Sequence, residues 1–207
     1  MLASAGDAYT HRRDAAGNLQ RWDLTSLTNQ TVAFHFGRSG CNDAATFTQP
    51  IDEFAALRRA LHAWNAVPHA DVKTRYAGPA TVEAVNAGDG ETVICFERSG
   101  TTLDPTVFAV TTITSNASGF ILDADIALND RDFAWDTMGN RSVGTPGRPL
   151  IEAIVTRQVG QALGLDRSFT NRAAMGPAVG SGSMHGSALQ ADDHAGLAAL
   201  YPAASFA

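Results

Sequence analysis

Lysine is almost missing from this chain: Lys73 is the single lysine among 15 basic residues, the rest being arginine. With 21 acidic residues the net charge is −6, and no basic stripe runs along the sequence. Both facts exclude an electrostatic footprint for nucleic acid or for an anionic membrane surface. Long apolar runs are lacking too. The best candidate, from Ile113 to Leu128, is interrupted by Asn116, Asp123 and Asp125, well short of the roughly 20 residues a bilayer requires. Met1 to Thr10 has neither a basic start nor an apolar stretch, so no leader peptide is read there. Only two cysteines occur, Cys41 and Cys95, without CxxC spacing, which excludes a thioredoxin-type motif and a cysteine metal site. Either one disulfide or two separate buried thiols fits them. The disulfide is expected, because the segment around Cys41 reads as surface.

What is present is a globular balance of 44% hydrophobic and 17% charged residues over 207 positions, which suits one domain with a continuous core. Arginine in place of lysine, with many alanines, points to a GC-rich bacterial gene. After a polar, irregular stretch over 1–30, Thr31 to Phe36 reads as a strand. A helix follows from Pro50, with Asp52 and Glu53 in its first turn and Phe54, Leu57, Leu61 and Trp64 at helical spacing, ending before Pro68. Val72 to Tyr76, Thr92 to Phe96 and Val107 to Thr114 are β-type runs. Phe120 to Asn129 alternates, placing Phe120, Leu122, Ala124, Ile126 and Leu128 on one face and Asp123 and Asp125 on the other. A second helix is expected from Leu150 to Leu163 with Gly164 as its left-handed stop, and a third from Ala191 to Leu200.

The segment Thr156-Arg-Gln-Val-Gly-Gln-Ala-Leu-Gly-Leu-Asp-Arg-Ser168 resembles the zinc-binding stretch H-E-x-x-H-x-x-G-x-x-H of matrixin-like metzincin peptidases, with every catalytic letter changed. Arg157, Gln158, Gln161 and Arg167 stand where the first histidine, the general-base glutamate and the other two histidines would be; Gly164 keeps the turn. Ala173-Ala-Met-Gly-Pro177 resembles the Met-turn, making Met175 its methionine. Further likeness runs through Leu19 to Asp23, Arg58 to Val67, Gly119 to Trp135 and Leu189 to Pro202. The resemblance implies an α+β metzincin (zincin-like) fold: a mixed, twisted five-stranded sheet with three helices. In that reading 150–168 is the former zinc-binding helix and turn, 173–177 the Met-turn, 190–201 the C-terminal helix, and Val107 to Thr114 the edge strand above the cleft.

The family's zinc chemistry is expected to be absent. Two histidines one turn apart, a third after the glycine, and a glutamate that deprotonates zinc-bound water are all replaced. Arginine has no lone pair to donate and stays protonated, glutamine is a poor zinc ligand, and an amide takes up no proton near neutrality. Each replacement is one base away from the family's residue. No metal ligand and no cofactor are therefore expected, apart from a possible structural calcium near Asp123 and Asp125.

Arg157, Gln158, Gln161 and Arg167 are instead expected to converge as a cationic, amide-rich ligand site for an extended peptide, an anionic small molecule or a glycan. Internal pairing of these cations with Asp166, Glu152 or Asp136 is the competing expectation. A second function class is a metal-independent hydrolase of polysaccharide or peptide using paired carboxylates, with Asp166, Asp132, Asp136 and Glu152 as candidates among a group that includes Asp130. Ser181, Ser183 and His185 cluster without a nucleophile elbow and read as loop. His35, His62 and His194 read as structural. The overall expectation is a secreted, monomeric pseudo-peptidase.

Overall fold

The computed structural model describes residues 8–41, 51–82, 84–99, 103–137, 147–177 and 186–203. Pro50 and the Ser181, Ser183 and His185 group lie outside the described residues.

The chain is a mixed α/β structure. Four strands, β3 (Thr31–Phe36), β4 (Lys73–Pro79), β5 (Val93–Glu97) and β7 (Phe120–Asn129), run parallel in the order β4-β3-β5-β7, and β6 (Ala109–Ser115) closes the far edge antiparallel to β7. The two-residue β2 (Arg21–Trp22) adds a sixth strand parallel to β7, on the edge that β5 also uses. Outside this sheet, β1 (Tyr9–His11) pairs antiparallel with β8 (Leu165–Ser168), a two-stranded unit that periodicity did not indicate. Strands this short leave no repeating pattern to read.

Helix α1 (Ile51–Asn65) turns Leu57, Ala60, Leu61 and Trp64 inward at i, i+3, i+4 and i+7, and α2 (Ile151–Ala162) does the same with Ile151, Val155 and Val159. Together with Phe34, Phe36, Ile94, Ile126 and Leu128 they form one core on one face of the sheet. The close approach of α1 and α2 rests on Gly160, where a Cβ would lie 2.5 Å from Met175 Sδ and 2.6 Å from the Trp64 ring. Helix α3 (Ala191–Leu200) adds Leu197 and Leu200 to the same core. The ends of α2 are tied by side chains from distant segments: Trp22 Nε1 donates to Ala162 O (2.9 Å) and Tyr201 Oη to Leu163 O (2.6 Å). Gly164 stops the helix at φ +99°, and a Cβ there would meet Gln20 O at 2.2 Å, so the position requires glycine on two counts.

One expectation is corrected. Leu122 is 54% exposed, not buried: the β6–β7 register passes from Thr114↔Asp123 to Ser115↔Ile121, and the bulge turns Leu122 out while Ile121 enters the core. Asp123 and Asp125 are both 1% exposed. The thiols of Cys41 and Cys95 are unbridged in this structure. Cys41 packs toward the main core, whereas Cys95 belongs to a small cluster with Ala80 and Val93. Cys41 donates from N (2.8 Å) and Sγ (3.1 Å) to the carboxylate of Glu53, and burial raises the Glu53 pKa above the usual range. Among the described residues no helix is long and apolar enough to cross a membrane.

Candidate functional site

A cleft of about 550 Å³ lies between β6, α2 and the turn at Ala173 to Pro177. Residues Thr106 to Thr111 form one wall, Ala153, Ile154, Arg157, Gln158 and Gln161 the other, and Arg12 enters from the N-terminal segment. The helical spacing of Ala153, Arg157 and Gln161 at i, i+4 and i+8 puts them on the α2 face opposite the core.

The polar groups of this cleft have different tasks. Arg157 Nη1 donates to Ala174 O (3.2 Å) and to Gly176 O, so one nitrogen of its guanidinium is held by carbonyls of the turn. Burial lowers the Arg157 pKa, with Asp166 and Asp193 opposing the shift and Arg167 adding to it. Gln158 accepts the Thr111 hydroxyl on Oε1 (2.7 Å), which links α2 to the edge strand. No described residue hydrogen-bonds the side chain of Gln161.

Arg167 is the sequence-expected site residue that does not arrive. After Gly164 the chain enters β8 directly, and strand alternation points Arg167 outward, with its side chain 70% exposed and its Nε 3.9 Å from Asp166 Oδ2. The expected convergence of Arg157, Gln161 and Arg167 is therefore corrected to Arg157, Gln158 and Gln161 alone.

None of the carboxylate candidates lines the cleft. Asp166 accepts from Thr10 Oγ1 (3.2 Å) on the β1 side. Asp132 is held by Arg131 (2.6 Å) and Asn129 (3.0 Å). Asp136 is 1% exposed and meets α2 through its backbone, accepting from Ile151 N (2.9 Å). Glu152 pairs with Arg59 at 2.6 Å. Among the described residues the cleft thus presents no pair of carboxylates.

The turn beneath Arg157 is built by a residue whose role the sequence did not disclose. Asp193, 1% exposed near the start of α3, accepts from Ala174 N (2.8 Å), Met175 N (3.0 Å) and Gln190 N (2.8 Å). An acid in a first helical turn is visible in the sequence; that it reaches back to a segment 18 residues earlier is not. Met175 is buried against Gly160 of α2. Arg12 and Thr111 are the other participants that spacing could not reveal, since both are brought in by strand pairing.

The donor set does not fit zinc. A guanidinium that hydrogen-bonds carbonyls offers no lone pair and opposes a divalent cation, and Gln158 Oε1 is already committed to Thr111. The Asp123 and Asp125 pair is likewise filled from within. Asp123 accepts from Gly88 N and Ala124 N (both 2.8 Å), and Asp125 from Asn86 N (2.8 Å) and Val93 N (2.9 Å). Burial, outweighing these hydrogen bonds, raises the Asp125 pKa to about 6. Among the described residues no three His, Cys, Asp or Glu side chains group to hold an ion. His35 Nδ1 lies 3.2 Å from Glu91 Oε1, and His62 and His194 sit on α1 and α3.

No family model matches the chain, and no curated protein matches it.

Proposed function

We propose that this chain is a matrixin-like pseudo-peptidase: a metzincin fold that has lost zinc chemistry and binds an extended peptide in the old active-site cleft. The observation that carries this reading is the open space beside Arg157. Had the vacated site been closed by an internal ion pair, Arg157 would face a carboxylate with no cavity above it. Instead it bonds backbone carbonyls, and about 550 Å³ remains between α2 and β6.

The arrangement of elements supports the same reading. A single antiparallel strand closes the sheet above the cleft, and α2 with its glycine stop lies beneath, followed by a turn over Met175. Among the described residues β6 pairs only with β7, so its outer edge offers unpaired backbone groups to an extended chain. The side chains along the walls are mostly apolar, which suits side-chain pockets more than a polar glycan. The protein is read as a secreted monomer, as the resemblance implies.

The test is selection of a displayed random dodecapeptide library on the full chain, followed by incubation of the captured peptides with the protein, with and without added zinc or a chelator. Saturable capture with peptides recovered intact in every condition is the expected result. Cleavage that survives the chelator would replace this reading with a metal-independent hydrolase. Lack of any capture would remove the peptide-binding reading.

A further inference from the structure

The cleft holds two guanidinium groups and, among the described residues, no carboxylate. Arg157 is occupied by the carbonyls of Ala174 and Gly176. Arg12 is not. Its backbone N–H donates to Gly164 O (2.8 Å) and its carbonyl accepts from Gln20 N (2.9 Å), which fixes the main chain beside the end of α2. The side chain extends from there into the cleft, half-buried, and no described residue accepts a hydrogen bond from it or pairs with it. The carboxylate that acts on it electrostatically, Asp166, accepts the Thr10 hydroxyl and is not among the residues that line the cleft. On α2 the Gln161 amide is free of partners in the same way.

A half-buried guanidinium that has lost part of its water and gained no acceptor is a poor arrangement unless a ligand completes it. Its planar fork matches the two oxygens of a carboxylate, and the neighbouring Gln161 amide adds a donor of the same kind. Around these two groups stand Val107, Phe108, Val110, Ile154 and Pro177. An acidic group flanked by apolar side chains therefore satisfies both the charge and the walls. A half-buried guanidinium without a hydrogen-bonded carboxylate also selects against a lysine or arginine at that point of the ligand.

We infer that the peptide bound in this cleft is recognised through a carboxylate, received by Arg12 with Gln161 beside it, next to apolar side chains lodged against β6 and α2. The inference rests on the peptide-binding reading above and adds its specificity. The carboxylate is either a peptide's C-terminus or an internal Glu or Asp, and the two sources are separable.

The experiment uses fluorescein-labelled octapeptide pools of Leu, Val, Ala and Phe with either Glu or Gln fixed at the fifth position, each made as free acid and as C-terminal amide. Binding to the full chain is read by fluorescence anisotropy for wild type, Arg12→Met and Arg12→Lys. At least one acidic pool should bind wild type about tenfold more tightly than the neutral Gln amide pool. Preference for free acid over amide assigns the C-terminus; preference for Glu over Gln in the amide pools assigns the side chain. In Arg12→Met the preference should fall to near onefold, and Arg12→Lys should retain part of it. Acidic and neutral pools binding wild type equally would overturn the carboxylate inference and leave peptide binding intact. An undiminished preference in Arg12→Met would overturn it as well. No binding of any pool would overturn both. Thermal unfolding of both variants checks the fold, whose local tie here is the Arg12 backbone N–H, present in either variant.

Discussion

Two regions of this molecule place charge out of reach of bulk water, and they do it in opposite ways. In the cradle beneath 86–93, Asp123 and Asp125 are each saturated by backbone N–H groups, so their oxygens are completed by the protein's own chain. In the cleft, Arg157 Nη1 is likewise met by two carbonyls, but Arg12 and Gln161 face a cavity with no described hydrogen-bond acceptor or donor on their side chains. The first arrangement is a clamp that holds a loop against a strand. The second is a clamp and an open site side by side, and only the open part can discriminate between ligands.

The comparison is broken hardest by Asp123→Ala. Ala124 N loses its acceptor in a buried setting and Gly88 N in a part-buried one, and urea unfolding should register a loss of about 3 to 4 kcal/mol. Next in size is the pH response of the same cradle. The Asp125 pKa is about 6 in the folded chain against an ordinary 3.8, so between these values the folded state binds more protons than the unfolded one. Stability should then fall as pH rises from about 4 to about 6 and level off above, a change of at most about 3 kcal/mol. Urea midpoints across that interval check it, and a rise with pH that disappears in Asp125→Asn would reverse the assignment.

Gly160→Ala sharpens the cleft side, because the added methyl meets Met175 Sδ and the Trp64 ring behind the wall formed by α2. Overpacking of about 2 kcal/mol is expected in thermal or urea unfolding. The smallest effect belongs to Arg12→Met, whose stability should stay within about 0.5 kcal/mol of wild type by urea unfolding, since no described side chain or carbonyl takes a hydrogen bond from that guanidinium. A large loss would mean that Arg12 belongs with the clamps.

Much of the frame was legible in the sequence. The periodicity of Leu57, Leu61 and Trp64, the run at Phe120 to Asn129, and the pairing of α2 with a glycine stop are local patterns, and local patterns are what one sequence records. Leu122 escaped because a bulge changes strand phase without changing composition. For Asp123 and Asp125 alternation tells which strand face they take, not that the backbone of 86–93 will cover that face. Of the site, Arg157, Gln158, Gln161 and Arg167 are singled out by the resemblance to the zinc-binding segment; helical spacing places Arg157 and Gln161 on one face, whereas Arg167 leaves the group because the geometry after Gly164 depends on pairing with β1.

The identities of the side chains already set what chemistry is open to this protein: no lone pair at 157, no base at 158, and an apolar frame able to form two packed helices on a sheet. Those follow from covalent structure and from burial of regularly spaced apolar groups, which neighbours along the chain suffice to define. Which cation is satisfied and which is left facing a cavity follows instead from partners far apart in sequence. The backbone bond of Arg12 to Gly164 fixes its main chain beside the cleft, and the turn whose carbonyls take Arg157 Nη1 is held by Asp193. Hydrogen-bond satisfaction is decided by three-dimensional proximity, and that proximity is made by packing the whole chain.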